Sequence, residues 1–293
     1  MKALVAGFGS IGQRHARLLQ PMVAQVAIVS SRPAAGYQRY ESLETAVTDF
    51  APDVVVVATI TSRHGENLNT LKRLGFARRV LIEKPIFAHK RESSPPYPFE
   101  IFVAYQLRFH PVVVALRIAL QGQTIYTAHG YVGQHLGQWR PGRNVHETYS
   151  AHRNKGGGVV RDLSHELDFV NHLFGPIQEA QAIVARADDI TADSEDAAAF
   201  VLRTSLCPVI SLQMNCLDHI PRREWIVTTK DVSFKADLVT QTLSQNNDVT
   251  HIACRPDDAY RAMHQALLAG DASQLCTFGE GLALMKLIEM AAP

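Results

Sequence analysis

The feature that most constrains this chain is a glycine loop near its N-terminus, Gly7-Phe8-Gly9-Ser10-Ile11-Gly12, set directly behind the apolar run Ala3-Leu4-Val5-Ala6. As a bare pattern Gly-x-Gly-x-x-Gly is weak, but a strand before it and a helix after it give each glycine a task. The first makes the tight turn, the second lets the backbone approach a pyrophosphate, and the third lets the helix pack close to the strand. The helix N-terminus then offers amides and a favourable dipole to phosphate. The loop therefore predicts the opening of a dinucleotide-binding fold, with Gly7, Gly9, Ser10, Ile11 and Gly12 around the phosphates.

The pattern downstream agrees. A helix through Arg14–Leu19 is stopped by Pro21, Val26–Val29 reads as a strand and Ser42–Phe50 as a short helix. Val54–Ala58 is β-branched and apolar on both faces, as a central parallel strand requires. Leu68, Leu71 and Leu74 fall on one helical face before Gly75, and Val80–Ile82 and Ile101–Ala104 are further strands. Repeated strand–helix–strand units imply a parallel sheet. Residues 87–98, with Pro95, Pro96 and Pro98, read as a surface loop where another crossover helix might have stood. Beyond Pro111 a helix is expected over 112–121 and another behind Gly156-Gly157-Gly158, with Leu163, Leu167, Val170 and Leu173 inward and Gly175-Pro176 at its end. Ala180–Ala185, Ala197–Arg203, Val209–Asn215, Trp225–Thr229 and Val232–Ala236 then predict a mostly antiparallel sheet, and Asp258–Leu268 and Glu280–Met290 closing helices. The class is α/β, with a nucleotide-binding domain over 1–109 and a second domain over 110–293.

At 293 residues the chain is long enough for two domains. A net charge of +1 gives no bulk field toward nucleic acid or an anionic membrane. The four cysteines are widely spaced with no Cys-x-x-Cys pair, which reads as reduced thiols rather than a disulfide scaffold or zinc site. No signal peptide or membrane span is legible, so a cytoplasmic protein is expected.

The end of the second strand bears on the cofactor. An NAD site usually carries an acidic residue there for the ribose hydroxyls. Here the chain reads Val29-Ser30-Ser31-Arg32, and its first acidic residue is Glu41. Ser30, Ser31 and Arg32 suit a 2′-phosphate, which a carboxylate would repel. NADP is predicted; with Arg32 an ordinary solvated charge, NAD would also serve.

Two segments carry candidate chemistry. Glu83-Lys84-Pro85 closes a strand, and Lys84 there is placed to polarise a substrate oxygen; the proline holds it out of the helical region. On a loop without such context it would be a solvated lysine. Asp162 and His165, three apart behind the glycine run, share a helical face, so the carboxylate can orient the imidazole. The glycines would let this segment approach a cofactor or substrate. A metal is not expected: His165-Glu166 begins a His-Glu-x-x-His pattern, but its second His position is Phe169.

With these residues in view the chain resembles the Gfo/Idh/MocA family of NAD(P)-dependent oxidoreductases. The matching parts are the glycine loop with His15, Val54–Ala58 followed by Thr59 and Ser62, Glu83-Lys84-Pro85, Tyr105 with Arg108, and the glycine run with Asp162 and His165. They span both domains. The resemblance implies a Rossmann domain followed by an α/β domain whose large, open, mostly antiparallel sheet joins subunits into a homodimer or homotetramer. It implies that Lys84 and His165 flank the carbon exchanging hydride, His165 as general base in oxidation and general acid in reduction, Lys84 positioning the hydroxyl, and Asp162 in support. Thr59, Ser62, His64, Glu83 and Lys84 would line the cofactor, Tyr105 and Arg108 the substrate, and Lys84-Pro85 would be cis. The chain departs from the pattern in the three-residue Asp–His interval, which leaves Asp168 as an alternative to Asp162, in Gln106 where Asn is usual, and in its shortness. Gln138-Trp139-Arg140-Pro141-Gly142-Arg143, then Tyr149-Ser150-Ala151, resembles members associated with surface-polysaccharide biosynthesis. Trp139 beside Arg140 and Arg143, with Tyr149, suits a sugar ring bearing phosphate or carboxylate; the competing reading is a structural Trp with solvated arginines. The expected activity is hydride transfer between a nicotinamide and a secondary alcohol or ketone of a sugar or nucleotide sugar. The rivals are a glycosidase that retains its cofactor for transient oxidation and a non-enzymatic NADP sensor.

Overall fold

The computed structural model describes residues 1–88, 95–139, 142, 144–153 and 156–292, and the side chain of Tyr149 also lies outside the description. They form two compact units, Met1–Gln106 with Asp257–Met285 and Leu107–Pro256 with Lys286–Pro293. The expected division at Phe109 lies close to where the chain leaves the first unit. Residues 257–285, which that division assigns to the second domain, return to the first.

In chain order the first unit contains β1 (Lys2–Ala6), α1 (Ser10–Leu19), β2 (Gln25–Val29), β3 (Gln38–Tyr40), α2 (Leu43–Thr45, running into a wider turn over Ala46–Phe50), β4 (Val54–Val57), α3 (His64–Arg73), β5 (Arg79–Ile82) and β6 (Glu100–Val103). The second unit contains α4 (Pro111–Ala119), β7 (Ile125–Gly133), α5 (Leu136–Trp139), α6 (Val159–Asp162), α7 (His165–Phe174), β8 (Ile177–Ala185), β9 (Ala197–Thr204), β10 (Val209–Asn215), β11 (Arg222–Thr229), β12 (Ser233–Asp237), β13 (Thr242–Gln245) and β14 (Asp248–His251). The chain closes with α8 (Asp258–Ala269), β15 (Cys276–Thr277) and α9 (Phe278–Ala291). Residues 89–94 of the expected Ser/Pro-rich loop lie outside the described residues.

The first unit is a seven-stranded sheet in the order β15-β6-β5-β4-β1-β2-β3, parallel except where β15 runs against β6. All four valines of β4 are buried, as a strand covered on both faces demands. The chain winds from β1 out to β3 and then restarts at β4 on the other side of β1. That reversal opens a crevice at the carboxyl ends of β1 and β4, where such sheets bind ligands. On the flank, Asp257 ahead of α8 accepts from Arg14 Nε at 2.8 Å and Arg17 Nη2 at 2.7 Å, clamping α8 onto α1.

The second unit is an eight-stranded sheet in the order β14-β13-β12-β11-β7-β10-β9-β8. It is antiparallel except for the parallel pair β7–β10. Its buried face centres on Trp225, whose indole stacks on Phe169 of α7 at 4.6 Å. Strand β7 lies in the middle of the sheet but was not expected, because His129, Gly130 and Gly133 dilute its alternation. Gly130 pairs with Trp225 across the ladder, and a Cβ there would sit 2.6 Å from the indole Cζ2. The opposite face carries Ile183, Val201, Val209 and Ile226, all exposed. The single helix expected behind the glycine run is two, because i→i+3 bonds tighten the chain at Leu163-Ser164 between α6 and α7.

Candidate active site

In the first unit the crevice is built by the glycine loop. Gly7 has φ +99°, and a Cβ on it would lie 2.5 Å from the carbonyl oxygen of Ala58, so only glycine lets the turn pass beneath the end of β4. Gly9 has the opposite environment. Nothing lies within 4 Å of where its Cβ would be. It is the N-cap of α1, contributes no side-chain cap, and no acidic residue occupies the first turn. A bare, unhindered helix N-terminus of this kind fits a pyrophosphate.

At the end of β2, Ser30 Oγ accepts the amide of Arg32 at 3.0 Å and donates to its carbonyl at 2.9 Å, so this hydroxyl shapes the turn. Ser31 and Arg32 are exposed. Sequence reasoning missed Arg39, whose guanidinium donates to Ser30 O at 2.9 Å and meets Glu41 at 3.3 Å, adding a second arginine to this corner. Its signal was the residue count of β3, which pairs with β2 in register and brings Arg39 opposite Ile28.

Beyond β4, Thr59 Oγ1 accepts from Asn67 at 2.8 Å, and Ser62 is exposed. His64 is buried with its ring nitrogens 3.0 Å from Ile86 O and 3.2 Å from Thr59 O. It sits between the loop after β4 and the segment following Lys84, and burial holds its pKa below the usual histidine value. At the end of β5, Glu83 turns inward. One carboxylate oxygen meets His15 Nε2 at 2.8 Å and the other accepts the backbone amide of Lys84 at 3.2 Å. Lys84 itself is half-buried and precedes a cis peptide bond to Pro85. Tyr105, two residues past β6, is buried.

In the second unit, Gly158 precedes α6 with φ +114°, and a Cβ there would be 2.5 Å from Glu195 Cδ. The carboxylate of Glu195 accepts the amide of Val160 at 3.2 Å. The close approach required of Gly158 is therefore to this protein carboxylate at the start of α6. Asp162 ends α6 and His165 opens α7, both at 9% exposure. The next carboxylates are committed elsewhere. Glu166 accepts from Trp225 Nε1 at 3.0 Å and lies 3.0 Å from Arg223 Nε. Asp168 is gripped by Arg108, with Nε at 3.0 and 3.1 Å and Nη2 at 2.6 Å, and the two are 3% and 1% exposed. Arg108, a candidate substrate contact, thus spends its fork on a buried ion pair.

Asp162 and Trp139 line one cleft of about 500 Å³, with His110, Gln134, Arg222 and Arg223. Trp139 is fixed by its indole N–H on Gln134 O at 3.1 Å. His110 is pushed down to about 4 by burial and then by the Arg223 charge. Arg140 and Arg143 lie outside the described residues, as does the side chain of Tyr149. Among the described residues no group of three or more His, Cys, Asp and Glu side chains is placed to hold a metal ion, and no helix is long and apolar enough to cross a membrane.

A doubly wound sheet with a phosphate-ready first turn, followed by a broad antiparallel sheet unit, is the architecture of a dinucleotide-binding oxidoreductase. Residues 1–94 match the oxidoreductase family model described as an NAD-binding Rossmann fold, and residues 116–232 match the GFO/IDH/MocA C-terminal domain. The chain belongs to the Gfo/Idh/MocA oxidoreductase family. No curated protein matches it significantly. Among solved structures it is similar to UDP-N-acetylglucosamine 3-dehydrogenase GnnA from Acidithiobacillus ferrooxidans, at 19% identity and TM-score 0.80, covering 100% of this chain and 96% of that one. It is also similar to levoglucosan dehydrogenase in complex with NADH, at 16% and 0.83, covering 99% and 95%. A third is the WlbA dehydrogenase from Bordetella pertussis in complex with NADH and UDP-GlcNAcA, at 20% and 0.78, covering 99% and 94%.

Proposed function

We propose that this protein is an NADP-preferring dehydrogenase or reductase acting on a secondary alcohol or ketone of a sugar or nucleotide sugar. The observation that carries the reading is that Trp139 and Asp162 line one cleft, which offers both an indole and a carboxylate to a ligand. The solved relatives named for UDP-N-acetylglucosamine, levoglucosan and UDP-GlcNAcA support the substrate class. When bound, the nicotinamide supplies the hydride acceptor or donor. In oxidation the substrate carbon gives up hydride with its two electrons, and His165 takes the hydroxyl proton. Lys84 stabilises the oxygen as its charge develops. Asp162 supports His165. Ser31, Arg32 and Arg39 favour the 2′-phosphate. The exposed apolar side chains on the second unit's sheet support assembly through that face into a homodimer or homotetramer.

The test is a fluorescence titration with NADPH and NADH, followed by a screen of sugars and nucleotide sugars by nicotinamide absorbance. Tighter binding of NADPH, a substrate that changes the absorbance, and loss of turnover in Lys84→Ala and His165→Ala are expected. Near-normal turnover in both variants would sink the assignment of roles. Aglycone release without net absorbance change would favour the glycosidase.

A further inference from the structure

Three buried side chains of the first unit form a chain with no part in the proposed chemistry. Glu83 Oε1 lies 2.8 Å from His15 Nε2, and His15 Nδ1 lies 2.8 Å from His264 Nε2. His15 and His264 are wholly buried and Glu83 nearly so. The chain ends at His264 Nδ1, which is buried with no hydrogen-bond partner among the described residues. Glu83 accepts at both oxygens, so His15 donates from Nε2. A single proton then lies between His15 Nδ1 and His264 Nε2, and in either arrangement His264 Nδ1 faces no partner. Burial, with His15 beside it, keeps His264 neutral by holding its pKa well below the ordinary value. A leucine or phenylalanine would fill this position without an unsatisfied polar atom.

The elements joined explain why a histidine is there. Glu83 ends β5 and holds the amide of Lys84 through its second oxygen at 3.2 Å. His15 sits on α1, the helix opened by the glycine loop. His264 sits on α8, which the Asp257 ion pairs hold to α1 independently. We infer that His264 is a positioning residue: through His15 and Glu83 it locks the backbone at Lys84 to the phosphate-binding helix. Reacting groups must be held to about 0.5 Å for such chemistry, and the chain reaches the lysine's own peptide. The catalytic consequence rests on the proposed role of Lys84; the mechanical link does not.

The test uses the full chain with His264→Phe, His264→Gln and, as a second removal variant, His264→Ala. Hydrogen exchange of the Lys84 amide is followed by mass spectrometry with residue resolution. Phenylalanine or alanine should leave His15 Nδ1 without its brace, loosen the His15–Glu83 link behind it and accelerate that exchange by up to about tenfold, on the order of one hydrogen bond. Exchange in β1 and β4 should stay unchanged. Glutamine, whose side-chain amide can donate to His15, should restore slow exchange. Affinity for NADPH should hold in all three variants, because α1 stays docked. On a substrate found in the screen, kcat should fall in the removal variants and recover in the glutamine variant. Wild-type exchange at Lys84 in the removal variants would overturn the inference, as would acceleration spread evenly over the unit. If Lys84 exchange accelerates but Lys84→Ala keeps full turnover, the brace stands and the lysine's chemical role falls.

Discussion

Replacing Arg108 by alanine separates two meanings of a conspicuous arginine. As a substrate contact it would raise KM and leave stability alone. The structure instead buries it at 3% exposure against Asp168 at 1%, with three N–H···O contacts between 2.6 and 3.1 Å. Removing the guanidinium strands a carboxylate in a site with almost no access to water. Breaking a buried pair from one side costs about 3–5 kcal/mol. At about 2–4 °C per kcal/mol for a unit of this size, the calorimetric transition of the second unit should fall by about 6–20 °C. The double variant Arg108→Met with Asp168→Leu removes both charges and should recover most of that loss, since well-packed apolar replacement of a buried pair is often neutral. Lysine at 108 should rescue only in part, because an ammonium cannot reproduce the fork that meets both carboxylate oxygens. NADPH titration of each folded variant provides the control and should be unchanged. An Arg108→Ala protein melting within about 1 °C of wild type, as a surface change does, with a raised KM, would refute the reasoning and return Arg108 to the substrate.

Gly9→Ala places its methyl in space empty of protein within 4 Å, so the melting temperature should hold while NADPH affinity drops about tenfold to a hundredfold by fluorescence. Gly7→Ala, at φ +99° and against the Ala58 carbonyl, should instead lower the melting temperature itself. Arg39→Ala should weaken NADPH about tenfold and NADH little, the worth of one charge-assisted contact; equal losses would exclude it from the 2′-phosphate corner. His110 titrates at about 4 in the fold against 6.5 ordinarily, so the unfolded chain binds the extra proton first. Stability should therefore fall as pH drops from about 6.5 to 4. His110→Gln should flatten that part of the melting curve, and an unchanged slope would count against the buried neutral imidazole.

The parts legible in the sequence were those written in neighbouring residues. The glycine loop behind Ala3–Ala6 and the valines of β4 give turn, helix start and buried strand within a few positions, and all stand where expected. Strand β7 was hidden because its glycine answers a tryptophan far along the chain: Gly130 is flat so that Trp225 can lie on it. The same distance hid the chain behind Glu83, since His15 lies 68 residues from Glu83 and 249 from His264. It also hid Glu195 beneath Gly158, where a glycine run read as room for a ligand is in part room for a carboxylate.

The same long-range contacts narrow the chemistry around His165. Three carboxylates lie within three residues of it, and spacing alone separates them poorly: Asp162, Glu166 and Asp168 each fall within one helical turn. Tertiary structure shows what two of them hold. Asp168 neutralises Arg108, and Glu166 is spent on Trp225 and Arg223 beneath the sheet. Asp162 alone of the three lines the cleft that contains Trp139. A carboxylate locked to a buried guanidinium has its charge satisfied, and turning it toward an imidazole would cost the pair. The buried pair with Arg108 therefore favours Asp162 over Asp168 in the role proposed for a carboxylate beside His165. Asp162 and Asp168 were both open in the sequence because Arg108 lies 60 positions from Asp168.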